Sequence, residues 1–436
     1  MTTQSSPHRV VIVGGGAGGL ELAAKLGRRY GPHAVTLVDA RPLHIWKPSL
    51  HEAAAGTLDV QQEGLSYLVL ARLNRFTFVL GSMLSVDRDA RTLQISSVSW
   101  PDGEVVVPER TLSYDTLVLA FGSTSNFFGT PGAEQHAVTL DTVEQAERFR
   151  LLMLQTMVKL NEARQTEPDA KLNLVIVGAG ATGVELAVEL YEAGHVISAY
   201  GLNNFRPERD MTLTLLEGGP RILGALPERI SEAAMARLAE VGVRVHTNCR
   251  VSEVAADHVR STDGQVYPAS LCMWAAGISA LPVANTLGLA QNRIGQLEVD
   301  GRLHTADPNV LAMGDCAAAP WRDGRTVPAR AQAAHQQADY LAELLGARIS
   351  GRAETQSPYV YEDHGSLVSL GQGAGAGSLM GKLTGKGLFV SGTLARLMYM
   401  SLHLMHHRAV LGTGRTISLA LARLLMRRTQ ARVKLH

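Results

Sequence analysis

The sequence is poor in cysteine and contains no long uninterrupted apolar segment. Its 436 residues include only three widely separated cysteines, with no CxxC pair: Cys249, Cys272 and Cys316. This spacing argues against thiol–disulfide redox chemistry and is typical of a reducing compartment. The most apolar stretch, 387–405, is interrupted by Arg396. Because a central arginine costs about 2.5–3.5 kcal/mol on membrane-insertion scales, a spanning helix is not expected there.

Acidic residues are missing from the last part of the chain. Residues 364–436 contain no Asp or Glu but ten Lys and Arg, while the rest carries 31 basic and 40 acidic residues. An acidic body with a basic tail predicts an anionic surface as partner, and no nucleic-acid partner is expected. The 46% of hydrophobic and 19% of charged residues are typical of a packed α/β protein and exclude disorder.

A unit of strand, glycine loop and helix occurs twice, as VVIVGGGAGGLELAAKL and LVIVGAGATGVELAVEL. In a GxGxxG loop, the first glycine permits a tight turn, the second admits a pyrophosphate, and the third lets helix and strand pack closely. An acid ends the next strand in each copy, where it can accept from ribose hydroxyls. The chain is therefore predicted to bind two dinucleotides, with these residues: Gly14, Gly16, Gly19 and Asp39 in one copy, and Gly178, Gly180, Gly183 and Glu217 in the other.

The two copies differ in spacing. Gly14 and Asp39 are 25 residues apart, but Gly178 and Glu217 are 39 apart, which predicts a longer helix or an insertion in the second copy. An acid at Glu217 favours NADH, because it repels a 2′-phosphate, although Arg221 softens that preference. The glycine-rich stretch 371–387 is expected to be a flexible approach to the tail.

Several further motifs follow the glycine loops in a recognisable order: WKPSLHE, WAAGI, AMGDCA, RAQAAHQ, DHGSLVSL and a terminal KLH. With the two loops, these motifs closely resemble type II NADH:quinone oxidoreductases of the proteobacterial branch, over essentially the whole chain. The resemblance implies a single-chain flavoprotein with two Rossmann-like dinucleotide-binding domains and a C-terminal amphipathic helical region. It implies an FAD domain at 1–165 and 300–365, an NADH domain at 166–299, and a membrane-associating region at 366–436.

The same resemblance assigns cofactor residues. FAD would lie on the first loop and on four residues outside it, namely Asp39, Lys47, Gly122 and Asp315; NADH would lie on the second loop with Glu217 and Gly277. Asp39 replaces the Glu that is usual at this position. Two alternatives stay open: Asp315 as a helix N-cap, which is compatible with flavin binding, and Lys47 as a solvated surface lysine.

Four residues are predicted to act in catalysis: Glu185, Gln332, His335 and Gln336. Glu185 would order the nicotinamide or bias proton movement, or it would only complement the helix dipole. Gln332 and Gln336 share a helix face with alanines between them, so their amides can bond quinone carbonyl oxygens; a packing helix is the alternative. The pair His51 and Glu52 is either a proton relay or, more simply, a hydrogen-bonded structural pair.

The tail carries two apolar stripes with basic flanks, which suit helices that lie in an anionic lipid surface. The alternatives are a helix pair packed on the body and a homodimer contact. A metal site at His403, His406 and His407 is not expected. The stripes contain Leu394, Leu397, Met398, Leu402 and Met405, and then Ile417, Leu421, Leu424 and Leu425, with Arg423, Arg427 and Arg428 beside them.

These observations predict a peripheral flavoenzyme on the cytoplasmic face of the bacterial inner membrane. It would oxidise NADH through FAD and reduce a membrane quinone without proton pumping. A sulfide:quinone oxidoreductase would need paired redox cysteines, and a soluble ferredoxin or oxygen reductase would not need the tail. A membrane adaptor that senses nucleotides without turnover is the alternative from a different class.

Overall fold

The computed structural model describes residues 8–371, 375–380, 387–426 and 433–434. Strands and helices alternate along most of this length, and two five-stranded sheets consist of parallel pairs throughout. The predicted α/β class with two Rossmann-like domains is confirmed. The elements are given below in chain order.

Residues 8–125 contain twelve strands and four α-helices. The strands are β1 (Val10–Val13), β2 (Val35–Asp39), β3 (Leu43–His44), β4 (Leu65–Ser66), β5 (Thr77–Leu80), β6 (Met83–Asp87), β7 (Thr92–Ile95), β8 (Val98–Ser99), β9 (Val105–Val107), β10 (Arg110–Ser113), β11 (Thr116–Leu119) and β12 (Ser123–Ser125). The helices are α1 (Ala17–Tyr30), α2 (Leu50–Ala55), α3 (Val60–Glu63) and α4 (Tyr67–Asn74).

The middle part runs from residue 133 to residue 280. Its helices are α5 (Ala133–His136), α6 (Val143–Ala163), α7 (Ala181–Ala199), α8 (Pro207–Asp210) and α9 (Glu228–Glu240). Its strands are β13 (Ala137–Thr139), β14 (Leu172–Val177), β15 (Met211–Leu216), β16 (Arg244–His246), β17 (Val251–Val254), β18 (His258–Ser261), β19 (Val266–Pro268), β20 (Leu271–Trp274) and β21 (Ile278–Ala280).

The last part returns to the first domain and then forms the C-terminal region. Its strands are β22 (Leu297–Glu298), β23 (Val310–Ala312), β24 (Ala317–Ala318), β25 (Gly365–Ser369), β26 (Gly375–Met380) and β27 (Gly387–Ser391). Its helices are α10 (Ala331–Ile349), α11 (Gly392–Leu411) and α12 (Thr413–Met426).

The first parallel sheet has the strand order β23-β11-β1-β2-β5. All residues of β1, β11 and β23 are buried, as expected for parallel strands covered on both faces. Strand β23 comes from residues far downstream of the others, so the first domain is discontinuous in sequence. This sheet places three strand ends side by side, at Val13, Leu119 and Ala312.

The second parallel sheet has the order β13-β20-β14-β15-β16. Its edge strand β13 covers residues 137–139, so the sheet begins upstream of the predicted domain boundary at residue 166. The two domains are also joined by the antiparallel pair β12 and β21, in which Ser123 faces Ala280. Each of these short strands follows the end of a central parallel strand, β11 or β20.

Both explanations for the longer second copy of the duplicated unit apply. Helix α7 has 19 residues and helix α1 has 14. A loop and the short helix α8 then precede β15. The extra length therefore lies away from the glycine loop, which leaves the loop itself unchanged.

The C-terminal region is an antiparallel sheet, β25-β26-β27, followed by helices α11 and α12. Strand β26 lies within the glycine-rich stretch that was expected to be flexible, so that expectation is wrong for residues 375–380. Its backbone groups pair with strands on both sides, and this pairing does not require side chains. Residues 372–374 and 381–386 of the same stretch lie outside the described residues.

The C-terminal region packs on the body. His406, His407 and Val410 of α11 are buried, and the guanidinium of Arg423 pairs with Glu63. Val433 is buried, and the backbone N–H of Lys434 donates to the Gly56 carbonyl at 2.8 Å. No helix in the described ranges is long and apolar enough to cross a membrane.

Candidate active site at the carboxyl edges of the two sheets

The first set of predicted cofactor residues lies at one edge of the first sheet. Parallel strands end at the same edge, and in open α/β sheets ligands bind outside those carboxyl ends. The loops after β1, β11 and β23 carry Gly14, Gly122 and Asp315. Their backbones touch, since a Cβ on Gly14 would lie 2.3 Å from the Ala120 carbonyl oxygen, and Met313 N–H donates to Leu119 at 2.9 Å.

The two glycine loops have the same geometry. The first glycine has a φ of +106° at Gly14 and +101° at Gly178, which L side chains rarely adopt. A Cβ on the third glycine, Gly19 or Gly183, would lie 1.9 Å from the first glycine's carbonyl oxygen. The second glycine, at Gly16 and Gly180, has no heavy atom within 4 Å of its Cβ position. That open space is where a pyrophosphate can approach.

The helices that follow the loops begin without a side-chain cap. Gly16 and Gly180 are the N-cap residues of α1 and α7, and neither end has a capping side-chain hydrogen bond. The first N–H groups of a helix have no intrahelical partner, and the helix dipole favours a negative charge there. The residues present therefore fit the phosphates of two dinucleotides, one at each loop.

Asp39, the last residue of β2, and Glu217, the residue that follows β15, hold the loops in shape. Oδ2 of Asp39 accepts from the Gly15 N–H at 2.6 Å, and Oε2 of Glu217 accepts from the Ala179 N–H at 2.8 Å. The other carboxylate oxygen of each acid accepts from a backbone N–H two residues downstream. Asp39 accepts from Arg41 at 2.9 Å, and Glu217 accepts from Gly219 at 2.7 Å. The predicted role towards ribose stays a prediction, and the structure shows that these carboxylates organise the loop backbone.

Three predicted or neighbouring side chains meet beside the first loop. Ser123 Oγ donates to Asp315 Oδ2 at 2.9 Å, and Lys47 Nζ donates to the Ser123 carbonyl oxygen at 2.9 Å. Asp315 belongs to a one-turn 3-10 helix and is not at its N-cap, which Met313 occupies. The structure thus brings Lys47 and Asp315 to one place at the carboxyl edge of the first sheet.

Arg221, the residue that was expected to soften the preference for NADH, is bonded within its own loop. The guanidinium of Arg221 donates to the carbonyl oxygens of Leu223, Gly224 and Leu226 and to Ser231 Oγ. These bonds hold Arg221 within its own loop, so it is not directed towards the Glu217 carboxylate. The softening of NADH preference that Arg221 suggested in the sequence is therefore not supported by its contacts.

Gly277 lies after β20, with a φ of +67°. A Cβ at this position would meet the ring of Phe128 at 2.2 Å. Phe128 is 65% exposed and itself has a positive φ of 52°. An exposed aromatic ring thus covers the predicted NADH-side glycine.

Glu185 is buried where three segments meet. It lies on α7, its Oε1 accepts from the Ser369 N–H at 2.9 Å, and its Oε2 lies 3.6 Å from Nδ1 of His51 on α2. Burial raises the pKa of Glu185 to about 8, and the charges of Glu52 and Glu189 act in the same direction. Burial lowers the pKa of His51 to about 4. Near pH 7 the carboxyl therefore holds its proton and the imidazole is neutral.

His51 and Glu52 do not form a hydrogen-bonded pair. Their nearest nitrogen and oxygen are 4.0 Å apart, which is too far for a hydrogen bond. The structural-pair interpretation is therefore wrong in its geometry. His51 instead faces the buried acid Glu185.

Helix α10 uses its alanines for packing. Ala333, Ala334 and Ala338 are buried, and a Cβ on Gly18 of α1 would lie 3.0 Å from the Ala334 carbonyl oxygen. The small side chains thus allow α1 and α10 to approach closely. These buried alanines support the packing alternative for this face of α10, and quinone binding by Gln332 and Gln336 stays a prediction.

The predicted quinone-binding side chains of α10 are half-buried and have protein partners. Gln336 donates to the Glu362 carbonyl oxygen at 2.7 Å and accepts from the Glu362 N–H at 3.0 Å. Gln332 accepts from the Tyr361 hydroxyl at 2.9 Å. His335 Nδ1 contacts Glu21, whose charge and hydrogen bond raise the pKa of His335. Of these residues, Gln332 keeps an amide N–H group that donates to no atom within the described part of the chain.

Two residues of this site were missed. Gln337 is buried, and its Oε1 accepts from the Gly314 N–H at 2.7 Å, which fixes the turn that carries Asp315. Glu21 is buried and lies at the position of the first copy that corresponds to Glu185 in the second copy. The duplication itself was the signal for Glu21, since each acid stands seven residues after the first glycine of its loop.

A search against protein-family models matches residues 8–338 to the pyridine nucleotide-disulphide oxidoreductase family. A type II NADH:quinone oxidoreductase from Haemophilus influenzae is 38% identical over 98% of this chain and 99% of its own length. Two solved structures share the fold at 18% identity. They are NDH2 from Plasmodium falciparum in complex with NADH (TM-score 0.77, covering 93% of this chain and 97% of that one) and a sulfide:quinone oxidoreductase from Aquifex aeolicus (TM-score 0.69, covering 93% and 92%).

The fold and the two glycine loops define a flavoprotein of the pyridine nucleotide-disulphide oxidoreductase class. Within that class, the chain belongs to the type II NADH:quinone oxidoreductases. Its cysteines agree with this family rather than with sulfide chemistry. All three are free and buried, and burial raises the pKa of Cys272 and of Cys316 to about 12, so neither is a reactive thiolate near pH 7.

Replacement of Glu217 by Gln is expected to narrow the preference for NADH over NADPH by about tenfold, because it removes the charge that repels a 2′-phosphate. The ratio of kcat/KM for the two nucleotides measures this effect. Asp39→Asn is the matched control: the same change at the first loop should leave the ratio unaltered. An unchanged ratio in Glu217→Gln would exclude Glu217 as the discriminating acid.

Proposed function

We propose that this chain oxidises NADH by hydride transfer to bound FAD and passes two electrons to a membrane quinone, without pumping protons. The observation that carries this proposal is the duplicated dinucleotide loop, present once at the carboxyl edge of each parallel sheet. Membership of the type II NADH:quinone oxidoreductases supports the assignment of acceptor. FAD supplies the redox chemistry when bound, since it accepts a hydride and returns two electrons.

The first loop is the FAD site in this proposal. The N-terminus of α1 receives the pyrophosphate, and Asp39 accepts from the adenosine ribose. Asp315 is a carboxylate held by Ser123 Oγ and faces the same edge, so it can accept from further sugar-like hydroxyls of the cofactor. Lys47 contributes a positive charge beside that carboxylate.

The second loop is the NADH site. The N-terminus of α7 receives the pyrophosphate and Glu217 accepts from the adenosine ribose hydroxyls. Gly277 follows β20, the strand next to β14 in the second sheet, and lies below the exposed ring of Phe128. Because Gly277 and Gly122 directly precede the paired strands β21 and β12, the two cofactor sites approach each other at this crossing.

Glu185 is the proposed proton-holding residue. Reduction of a quinone consumes two protons, and a buried neutral carboxyl can hold one near pH 7. His51 lies 3.6 Å from this carboxyl, and Glu52 on the same short helix is partly exposed. These three residues form a row of titratable groups that leads from the buried Glu185 to the partly exposed Glu52.

The electron exit is proposed at α10, with Gln332 as the amide donor to a quinone oxygen. Gln336 ties α10 to the segment around Glu362 through both ends of its amide. Its role is then to position that segment. His335 is bonded to Glu21 and lies beside this face.

A lipid surface is the proposed partner of helices α11 and α12. Their exposed apolar side chains lie on turns that the protein body does not cover: Leu402, Met405, Ile417, Leu421 and Leu425. Leu68 and Val69 of α4 are exposed as well, at 66% and 56%. The predicted stripe residues Leu394, Leu397 and Leu424 have side chains outside the described part, and Arg427 and Arg428 lie outside the described residues.

We place the protein on the cytoplasmic face of the bacterial inner membrane; a homodimer stays a prediction.

Purified protein with FAD, placed on quinone-containing vesicles, is expected to oxidise NADH and consume one quinone per NADH. A pH-sensitive dye inside the sealed vesicles should report no proton uptake or release coupled to turnover. NADH oxidation that does not depend on quinone would contradict the proposed acceptor. Internal acidification that an uncoupler abolishes would contradict the absence of pumping.

Gln332→Ala is expected to slow quinone reduction by about tenfold, because a hydrogen bond to the quinone is lost, while NADH still reduces the flavin at nearly the original rate. Gln336→Ala should affect quinone reduction less if its amide remains bonded to Glu362. The two half-reactions are measured separately in rapid-mixing experiments. Equal loss in both half-reactions would assign α10 a structural role.

Turnover with quinone is expected to fall as pH rises through about 8, because Glu185 then loses the proton that it holds at lower pH. Glu185→Gln should be slower but should lack this step. Glu189→Gln is the matched control on the same helix: it should keep the step but shift it to lower pH, since it removes a like charge that raises the pKa of Glu185. A step at pH 8 that persists in Glu185→Gln would exclude this acid.

The double variant Ile417→Ser/Leu421→Ser is expected to reduce sedimentation with anionic lipid vesicles at least tenfold, because two apolar side chains no longer enter the lipid. Reduction of a soluble acceptor should be unchanged. Val105→Ser/Val106→Ser is the matched control, since these side chains are similarly exposed but lie on β9. Equal loss of lipid binding in both double variants would reject the helical lipid surface.

A further inference from the structure

A chain of hydrogen bonds joins the C-terminal helix α11 to the first glycine loop. His406 Nδ1 lies 2.8 Å from Oε1 of Glu21, and its Nε2 lies 2.8 Å from Nε2 of His44. His44 Nδ1 in turn lies 2.9 Å from the carbonyl oxygen of Gly15. The side chains of Glu21, His44 and His406 are 2%, 4% and 3% exposed, so water does not compete for these bonds.

The number of hydrogens needed by these hydrogen bonds determines the charge of the two histidines. The Gly15 carbonyl and the Glu21 carboxylate are both acceptors, so the ring nitrogen that faces each must carry a hydrogen. The contact between the two Nε2 atoms requires a third hydrogen, whereas two neutral imidazoles carry only two. The histidine pair therefore holds one positive charge. Of the two rings, that of His406 contacts the Glu21 carboxylate, at 2.8 Å, so the pair has its counter-ion at this end.

Glu21 supplies the matching negative charge. Burial acts to raise its pKa, but hydrogen bonds from His335 and His406 outweigh burial and lower the pKa of Glu21 to about 2. Glu21 is thus an ionised hub on α1 that holds one histidine from α10 and one from α11. Both contacts are charge-assisted hydrogen bonds, which are stronger than neutral ones.

Both backbone polar groups of Gly15 are hydrogen-bonded to side chains. Its N–H donates to Asp39, and its carbonyl oxygen accepts from the Tyr67 hydroxyl at 2.6 Å as well as from His44. It directly precedes Gly16, whose open side receives the pyrophosphate in the proposed function. The orientation of its carbonyl fixes the direction in which the next N–H groups point.

We propose that Glu21, His406 and His44 are positioning residues that make the docked helix α11 a part of the FAD site. The proposal rests on FAD at the first loop. Docking of α11 holds His44, and His44 holds the loop in the conformation that binds the pyrophosphate. Coupling of this kind is reciprocal, so bound FAD also strengthens the docking of α11, the helix that carries Leu402 and Met405 of the proposed lipid surface.

The first test measures FAD retention by holoenzyme at a series of dilutions. His406→Ala should raise the dissociation constant of FAD about tenfold, while KM for NADH is unchanged and excess FAD restores turnover. His403→Ala is the matched control on the same helix: its ring stacks on Trp46 and bonds neither Glu21 nor His44. If both variants release FAD equally, the hydrogen bonds among Glu21, His406 and His44 have no special role in FAD binding, and the proposal is overturned. Glu21→Gln, which is nearly isosteric, serves if His406→Ala does not fold.

A double-mutant cycle separates positioning from general destabilisation. His44→Ala and His406→Ala act through one path in this proposal, so together they should weaken FAD binding about as much as either alone. Additive losses would overturn the proposal.

Hydrogen exchange tests the reciprocal effect directly. In the unmodified protein, addition of FAD to the FAD-free form should slow amide exchange in peptides from α11. In His406→Ala, addition of FAD should leave exchange in these peptides unchanged. Exchange in α11 that is the same with and without FAD would overturn the coupling. This failure is distinct from failure of the proposed function, because NADH would still reduce the flavin at saturating FAD.

Discussion

The hydrogen bond between an acid at the end of one strand and the N–H of the neighbouring glycine loop is the interaction on which the site depends. It occurs twice, from Gly15 to Asp39 and from Ala179 to Glu217. Each bond joins adjacent parallel strands at the edge where ligands bind, and it leaves the following helix N-terminus uncovered. Two loops of one geometry therefore fit two dinucleotides, and the paired strands β12 and β21 join their domains.

The duplication also sets a contrast between two buried acids. Glu21 and Glu185 occupy equivalent positions on α1 and α7, yet their environments give them opposite charge states near pH 7. Glu21 is bonded to two histidines, which lower its pKa to about 2, whereas Glu185 has one backbone partner and a neutral histidine at 3.6 Å, and burial raises its pKa to about 8. The acid of the first copy, Glu21, is thus ionised and paired with histidines, and the acid of the second copy, Glu185, is protonated.

The sequence was sufficient to predict the features that depend on local pattern. The two strand–loop–helix units follow from glycine spacing and apolar runs, which directly encode backbone geometry. The partners of Glu21, by contrast, come from residues 335 and 406, and no local pattern indicates which distant imidazoles will meet it. The alanines of α10 left two interpretations open for a similar reason: small residues suit both a ligand site and close helix packing, and the packing partner, Gly18, is distant in sequence. Strand β26 was missed because its glycines pair through backbone groups alone.

The central claim is that NADH at the second loop transfers electrons to FAD at the first loop, and that the reduced flavin then passes them to quinone. Anaerobic rapid mixing of FAD-loaded protein, followed through the absorbance of oxidised flavin, tests this claim most directly. The account predicts that one equivalent of NADH removes the absorbance and that one equivalent of quinone, added next, restores it. Flavin that stays oxidised in the presence of NADH, or reduced flavin that quinone does not reoxidise, would contradict the account.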